Sequence, residues 1–393
     1  VDRGARTDVA FEVRFLERLQ RLLAEGNASS TYKFAVLIGL AELAVETWTE
    51  RGGYRESFTT RELAEKVLGL YWPQARPLAT RGPAESSVLT LLKQNAGPQA
   101  RIVSDSAALV EEVGHVPVET LARKHPDEYA NLVDEVEWKL VEMPLPRVQR
   151  LADGVDEFIY VPPCRLEDVE PRGGRMKREV RLHQAGKPSD FNNNILMKPC
   201  VVPTLARFHG LVRDLVEARW VREVRKFNKA SFRDEDLYAH LFGPKRVDLS
   251  AVAEPLLRLQ GGRCFYCGRR VAAVHVDHFL PWAQYPDDRL ENLVATDGPC
   301  NLSKSDHLAA DDHLDAWLAR FTRNEAGAAS IVSALQHEAE NLRWPVDPNA
   351  TLAVARHLYA RHPSEARLWS NRTFRPWDRD AVMRRLSGVG DAA

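Results

Sequence analysis

The chain has 393 residues, 44% hydrophobic and 28% charged, a balance that suits a soluble protein with two or three cored domains. Lys and Arg number 54 against 55 Asp and Glu, so no global field draws a polyanion; a nucleic-acid partner would need a local basic surface. No apolar run approaches the roughly 18 residues that span a bilayer, and the charged start VDRGARTDVAFEVRFLERL has no signal-peptide core, which predicts a cytoplasmic protein away from membranes.

Residues 8–25 predict an amphipathic helix with Phe11, Val13, Phe15, Leu16, Leu19 and Leu22 loosely on one side, stopped by Gly26-Asn27. A second helix, capped by Ser29 or Ser30, would carry Phe34, Leu37, Ile38, Ala41, Val45 and Trp48. Thr59 and Glu62 have capping-box spacing ahead of Leu63, Ala64, Val67 and Leu68. That element reads as an ordinary packed helix, or as half of a helix-turn-helix-like recognition unit. Residues 73–85, rich in Pro, Arg and Gly, read as a loop, with helix at 86–95 and 118–139.

Short proline-bounded β-leaning segments between 140 and 165 predict a few strands. From Glu170 to Lys187 runs a basic stretch, read as a loop, with Arg172, Arg175, Lys177, Arg178 and Arg181 around Gly173-Gly174. It is a solvated face or a phosphate contact through Arg175, Lys177 and Arg178. Residues 203–228 predict one long amphipathic helix with Leu205, Phe208, Val212, Leu215, Val224 and Phe227 inward. The expected fold is mainly α (α+β). A helical region would span 1–139, a middle domain with strands and a basic loop 140–235, a ββα module with flanking helices 236–325, and a helical extension 326–393.

Three of the five cysteines fall in CFYCGRRVAAVHVDHFLPWAQYPDDRLENLVATDGPCNLSK. Clustered cysteines in a reducing compartment point to a metal rather than a disulfide framework. Cys264-x-x-Cys267 is the spacing with which a tight turn offers two thiolates to one tetrahedral zinc. A β-leaning run, Val271 to Val276, ends at Asp277-His278; Asn292 precedes the apolar Leu293-Val294-Ala295; Cys300-Asn301 opens a helix containing Lys304. Singly, Asp277 would read as a turn cap, His278 as a core histidine and Asn301 as a helix cap. Together they fall in one order, with 14 residues from His278 to Asn292 and nine from Asn292 to Asn301.

That order, C-x-x-C, D-H, N, C-N-x-x-K, resembles the zinc-containing branch of the HNH endonucleases over residues 260–310. The resemblance implies a β-hairpin and a helix gripping a catalytic divalent ion, Mg²⁺ or Mn²⁺, held by Asp277 and Asn301. It makes His278 the general base, since imidazole titrates near neutrality and can take a proton from water at cellular pH. Asn292 would fix the loop and orient the base. Lys304 would contact phosphate or brace the helix. A structural Zn²⁺ would sit on Cys264, Cys267 and Cys300, with Asp297, His307 or no protein group fourth, because the usual second C-x-x-C reads Asp297-Gly298-Pro299-Cys300 here. His275 would have a structural or substrate-edge role, and His313 would lie on a capping helix.

The implied function is metal-dependent hydrolysis of DNA, in a setting that looks like bacterial restriction or phage defence. Cutting both strands with one such site per chain suggests a homodimer or assembly into a larger defence complex. The alternatives are a zinc-stabilised DNA-binding or scaffold protein with an inactive fold of this type, or a subunit of a nucleic-acid-guided complex.

Overall fold

The computed structural model describes residues 9–25, 29–49, 53–81, 87–151, 153–170, 174–228, 234–243, 247–322 and 331–389. The expected stop at Gly26-Asn27, and Arg172 and Gly173 of the basic run, lie outside them. The fold is mainly α with several small antiparallel sheets, and the chain divides into two compact units, Val1–Ala44 with Tyr54–Lys245 and Val45–Gly53 with Arg246–Ala393.

In the first unit, helix Val9–Glu25 buries Phe15, Leu19, Leu22 and Leu23, whereas Val13, expected on the same side, points outward at 51% exposure. Helix Tyr32–Glu46 is buried around nearly its whole circumference, so its apolar spacing understates its burial. Thr31, rather than Ser29 or Ser30, stands immediately before it, and its carbonyl accepts from the Phe34 N–H at 3.0 Å. Ser30 instead pairs with Asn95 in an isolated bridge. Thr59 and Glu62 form the expected capping box, and helix Thr60–Tyr71 buries Leu63, Ala64, Val67 and Leu68. A Cβ on Gly39 would lie 2.9 Å from Leu63 Cδ1, so any larger residue there would have to displace the Leu63 side chain.

No second helix follows by a short turn. The chain enters a 3₁₀ turn, Trp72–Ala75, and then an antiparallel hairpin, Leu78–Arg81 with Ser87–Thr90. Strands at 78–81 and 87–90 thus stand within the loop expected at 73–85 and the helix expected at 86–95, of which residues 82–86 lie outside the described residues. Helix Arg101–Val113 was not anticipated: Ala100 before it makes no side-chain cap, so no local start signal exists. The helix expected at 118–139 is two, Val118–Lys124 and Pro126–Glu142, the second restarting at a proline that has no N–H to lose.

Strands are present between 140 and 165, as expected: Arg150–Leu151 pairs with Gly154–Val155, and Tyr160–Val161 joins Asn194–Met197 and Ser57–Thr59 in a three-stranded sheet. Within the basic run, Gly174–Gln184 is helix rather than loop. The predicted long helix breaks at Phe208 into Val201–Arg207 and His209–Phe227. Leu215 points outward at 40% exposure because Val212, Val216, Trp220 and Val224 form the buried side.

The second unit is built on α1 (Ser250–Leu259), β1 (His275–His278), β2 (Leu293–Thr296), α2 (Gly298–Lys304), α3 (Asp311–Leu318), α4 (Ile331–Leu342), α5 (Pro348–Arg361), β3 (Leu368–Ser370), β4 (Thr373–Arg375) and α6 (Arg379–Gly388). β1 and β2 pair antiparallel with His278 opposite Leu293 and Asp277 opposite Val294. β1 is shorter than the expected Val271–Val276 run, because the chain before His275 is still closing the cysteine turn through Val271 N–H to Gly262 O, 3.1 Å. All four residues of β2 are buried. Leu293 and Ala295 join Val252 and Leu256 of α1 and Leu335 and Ala339 of α4 in one apolar cluster. Phe279, just beyond β1, stacks on Trp317 of α3 at 4.8 Å between ring centres. Helices on this hairpin therefore hold the ends of both strands and the start of α2 in fixed register.

Candidate metal centre and catalytic site

The cysteine turn is set by backbone geometry. The Cys264 N–H donates to Arg269 O at 2.8 Å and the Gly268 N–H to Cys264 O at 3.0 Å. Gly268 has φ +68°, a left-handed conformation that glycine adopts without a Cβ penalty. Phe265 N–H donates to Ala295 O at 2.9 Å, which fastens the turn to β2. Where β2 ends, Asp297 caps α2 by accepting from the Cys300 N–H at 2.7 Å, and Pro299 in the first turn needs no hydrogen-bond partner. The helix thus begins at Gly298, two residues earlier than expected.

These pieces gather Cys264, Cys267, Asp297 and Cys300, with one ligand atom from each within 4.8 Å of the others. The Cys267 thiol donates to Asp297 Oδ2 at 3.0 Å. Burial pushes the Asp297 carboxyl up, but hydrogen bonds from Cys267 and Cys300 outweigh it and hold the group down at about 2. Burial pushes the Cys300 thiol well up, and the neighbouring carboxylate adds to that. Thiols crowded on a carboxylate are what a cation relieves, and three sulfurs with one oxygen are an admissible zinc set. The cluster is a metal-binding arrangement of zinc-like character. His307 is not part of it: its exposed ring packs edge-on to Phe374 at 4.8 Å.

A second group of polar residues forms at the end of β1. Asp277 is 8% exposed, and its Oδ2 accepts from Tyr266 OH at 2.6 Å and faces Lys304 Nζ at 3.2 Å. Lys304, with no exposed surface, also donates to His278 O at 2.8 Å. Burial pushes its ammonium down and Asp277 opposes the shift. Burial and the Asp277 charge push the Tyr266 hydroxyl well up, so it stays a donor. His278 Nε2 lies 2.7 Å from Asp288 Oδ1.

Asn292 is fully buried and brackets the loop between the strands. Its Oδ1 accepts from Leu280 N–H at 2.8 Å, while its Nδ2 donates to Leu280 O at 3.2 Å and Asp287 O at 2.9 Å. Asn301 sits half-buried on α2, which packs against β1. His275 is exposed, its Nε2 lying 3.1 Å from where a Cβ on Gly298 would stand. His313 is buried on α3 against the rings of Tyr266 and Trp369, which also touch each other.

The geometry meets a family pattern over the same residues. The family model described as HNH endonuclease matches residues 264–310. This stretch is an HNH endonuclease domain. No curated protein and no solved structure matches the chain. The HNH domain supports nuclease activity and a nucleic-acid substrate at the level of the family. Among the described residues, no helix is long and apolar enough to cross a membrane.

Around the HNH motif, three contributors were missed in the sequence. Tyr266, inside C-x-x-C, reads as an apolar filler until its hydroxyl is seen on Asp277. Asp288 belongs to a polar loop whose fold-back onto His278 depends on Asn292. Arg372 Nη2 lies 3.8 Å from Cys300 Sγ across 72 residues of sequence, with no local signal at all. The expected phosphate contacts Arg175, Lys177 and Arg178 belong to the first unit: Arg175 and Arg178 are largely exposed, and Lys177 lies over the Trp138 ring.

Proposed function

We propose that the HNH domain is catalytically active and hydrolyses DNA phosphodiester bonds with a divalent metal ion, Mg²⁺ or Mn²⁺. One observation carries this reading: at the end of β1, an imidazole held by a carboxylate adjoins a buried carboxylate held by a tyrosine and a lysine. An inactive scaffold has no need of so costly an arrangement of buried polar groups.

Asp288 accepts a hydrogen bond from His278 Nε2–H, which leaves Nδ1 as the nitrogen with a lone pair. His278 would use it to remove a proton from the attacking water. Tyr266 and Lys304 both address Oδ2 of Asp277, so Oδ1 is the oxygen left to face an ion. Asp277 and Asn301 offer the hard oxygen donors that Mg²⁺ or Mn²⁺ prefers. Such an ion, when bound, neutralises phosphate charge and the departing 3′ oxygen. Lys304, fully buried, positions Asp277 and His278 rather than substrate. Asn292 holds the loop that carries Asp288 back to the base.

Zinc on Cys264, Cys267, Cys300 and Asp297 would be structural, pinning the cysteine turn to the start of α2. The test is cleavage of plasmid DNA by wild type and His278→Ala in Mg²⁺, in Mn²⁺ and in EDTA. Metal-dependent cleavage by wild type alone is expected; no cleavage by metal-replete wild type would favour the scaffold reading. A role in restriction or phage defence would show as phage resistance conferred by wild type and lost in His278→Ala.

A further inference from the structure

Residues 368–375 form a β-hairpin outside the family match, with Ser370 opposite Thr373 and Asn371-Arg372 as its two-residue connection. Both connecting residues have positive φ, +47° and +67°. That is the hairpin turn which favours Asn followed by Gly, and Asn371 fits it. An arginine in the second position is strained, since a Cβ disfavours left-handed backbone. Strain of this kind persists where the surrounding structure holds it for a purpose.

The hairpin is anchored to the metal module. Trp369 N–H donates to Leu308 O at 2.9 Å, Ala310 N–H returns a bond to Trp369 O at 2.7 Å, and the Trp369 indole reaches Ser303 Oγ at 3.1 Å. So fixed, the turn carries Arg372 to the cysteine cluster, with Nη2 3.8 Å from Cys300 Sγ and 3.9 Å from Asp297 Oδ1. A divalent ion held by three thiolates and a carboxylate leaves two negative charges, which a guanidinium at the sulfur offsets.

We propose that Arg372 is an outer-shell cation of this metal centre, and that its turn tolerates left-handed strain in order to place it there. The assignment rests on the zinc reading of the four ligands. It couples metal occupancy to the turn of the C-terminal hairpin: the loaded cluster attracts the guanidinium, and the guanidinium offsets the charge of the loaded cluster.

The test uses the full chain as wild type, Arg372→Gly, Arg372→Gln and Arg372→Lys. Zinc affinity is measured by competition with a chromophoric chelator, and thermal unfolding is followed with and without zinc. The Gly and Gln variants should lose about 10- to 100-fold in zinc affinity, the usual effect of removing an outer-shell partner, and Lys should retain part of it. Arg372→Gly should also leave the stripped protein at least as stable as wild type, because glycine suits the turn, while narrowing the stabilisation that zinc confers. Zinc affinity unchanged in both Gly and Gln would overturn the proposal and leave Arg372 a turn residue. Wild type that takes up no zinc is a different result, and it overturns the zinc reading beneath it as well.

Discussion

His278 and Asp288 form a hydrogen-bonded dyad, Nε2 to Oδ1 at 2.7 Å, that spans ten residues of loop. The carboxylate fixes both the ring's orientation and its tautomer. His278→Ala should lower the turnover of DNA by about 10²- to 10⁴-fold, the range for a positioned general base. Asp288→Ala should cost less, because the imidazole remains, and should leave DNA affinity near wild type. Single-turnover cleavage beside a binding titration separates the two, and equal losses of affinity and rate would point to a misfolded loop instead.

Lys304→Met should destabilise the domain by about 3–5 kcal/mol, the scale for stripping one partner from a buried ion pair. Asp277 would stay buried with only Tyr266, and His278 O would lose its donor. Urea unfolding measures the change. A loss of activity with unchanged stability would mean that the lysine works on substrate.

Asp297 serves as helix cap and as candidate ligand, and asparagine separates the roles. Asp297→Asn keeps a good N-cap but presents a neutral amide to the metal. It should fold and lose zinc, whereas Cys264→Ser should lose both zinc and stability. His307→Ala should retain zinc, since the ring lies on Phe374. Elemental analysis of the purified variants decides among them.

Glu291 is fully buried, no other described residue hydrogen-bonds either carboxylate oxygen, and burial pushes it up to about 8. Below its ordinary pKa both folded and unfolded forms are protonated, and the group is neutral to stability. As pH rises from about 4.5, the unfolded chain ionises first, so stability is lost progressively until about 8 and is constant above. Glu291→Gln should therefore gain on wild type by several kcal/mol across that window. A flat difference between the two unfolding curves would mean that buried Arg320, whose charge Glu291 supports, keeps the folded carboxylate ionised.

The basic helix Gly174–Gln184 offers a separate test. If Arg175, Lys177 and Arg178 touch phosphate, their joint replacement by Ala should weaken binding to every DNA sequence. The slope of log affinity against log salt should shallow by roughly 0.9 for each phosphate no longer neutralised. An unchanged slope makes the helix a solvated face.

Much of the HNH core was legible because its signals are local. A C-x-x-C turn, the Asp277-His278 strand end and the apolar Leu293–Ala295 run each dictate their own backbone. The capping box at Thr59 and Glu62 was legible for the same reason. What stayed hidden depends on partners far along the chain. Arg101–Val113 has an uncapped start, and the paired strands at 78–81 and 87–90 are hidden by neighbouring Pro, Arg and Gly that read as loop. Tyr266 on Asp277 and Arg372 on Cys300 are facts of tertiary packing, and no spacing rule announces them.

The burial of Lys304 has one more consequence. Its amine cannot meet a solution reagent while α2 sits against β1, so acylation must wait for the domain to open. The labelling rate of this one lysine, read by mass spectrometry against the exposed lysines Lys177 and Lys187, becomes a clock for local opening. Zinc should slow that clock, and Cys264→Ser should speed it.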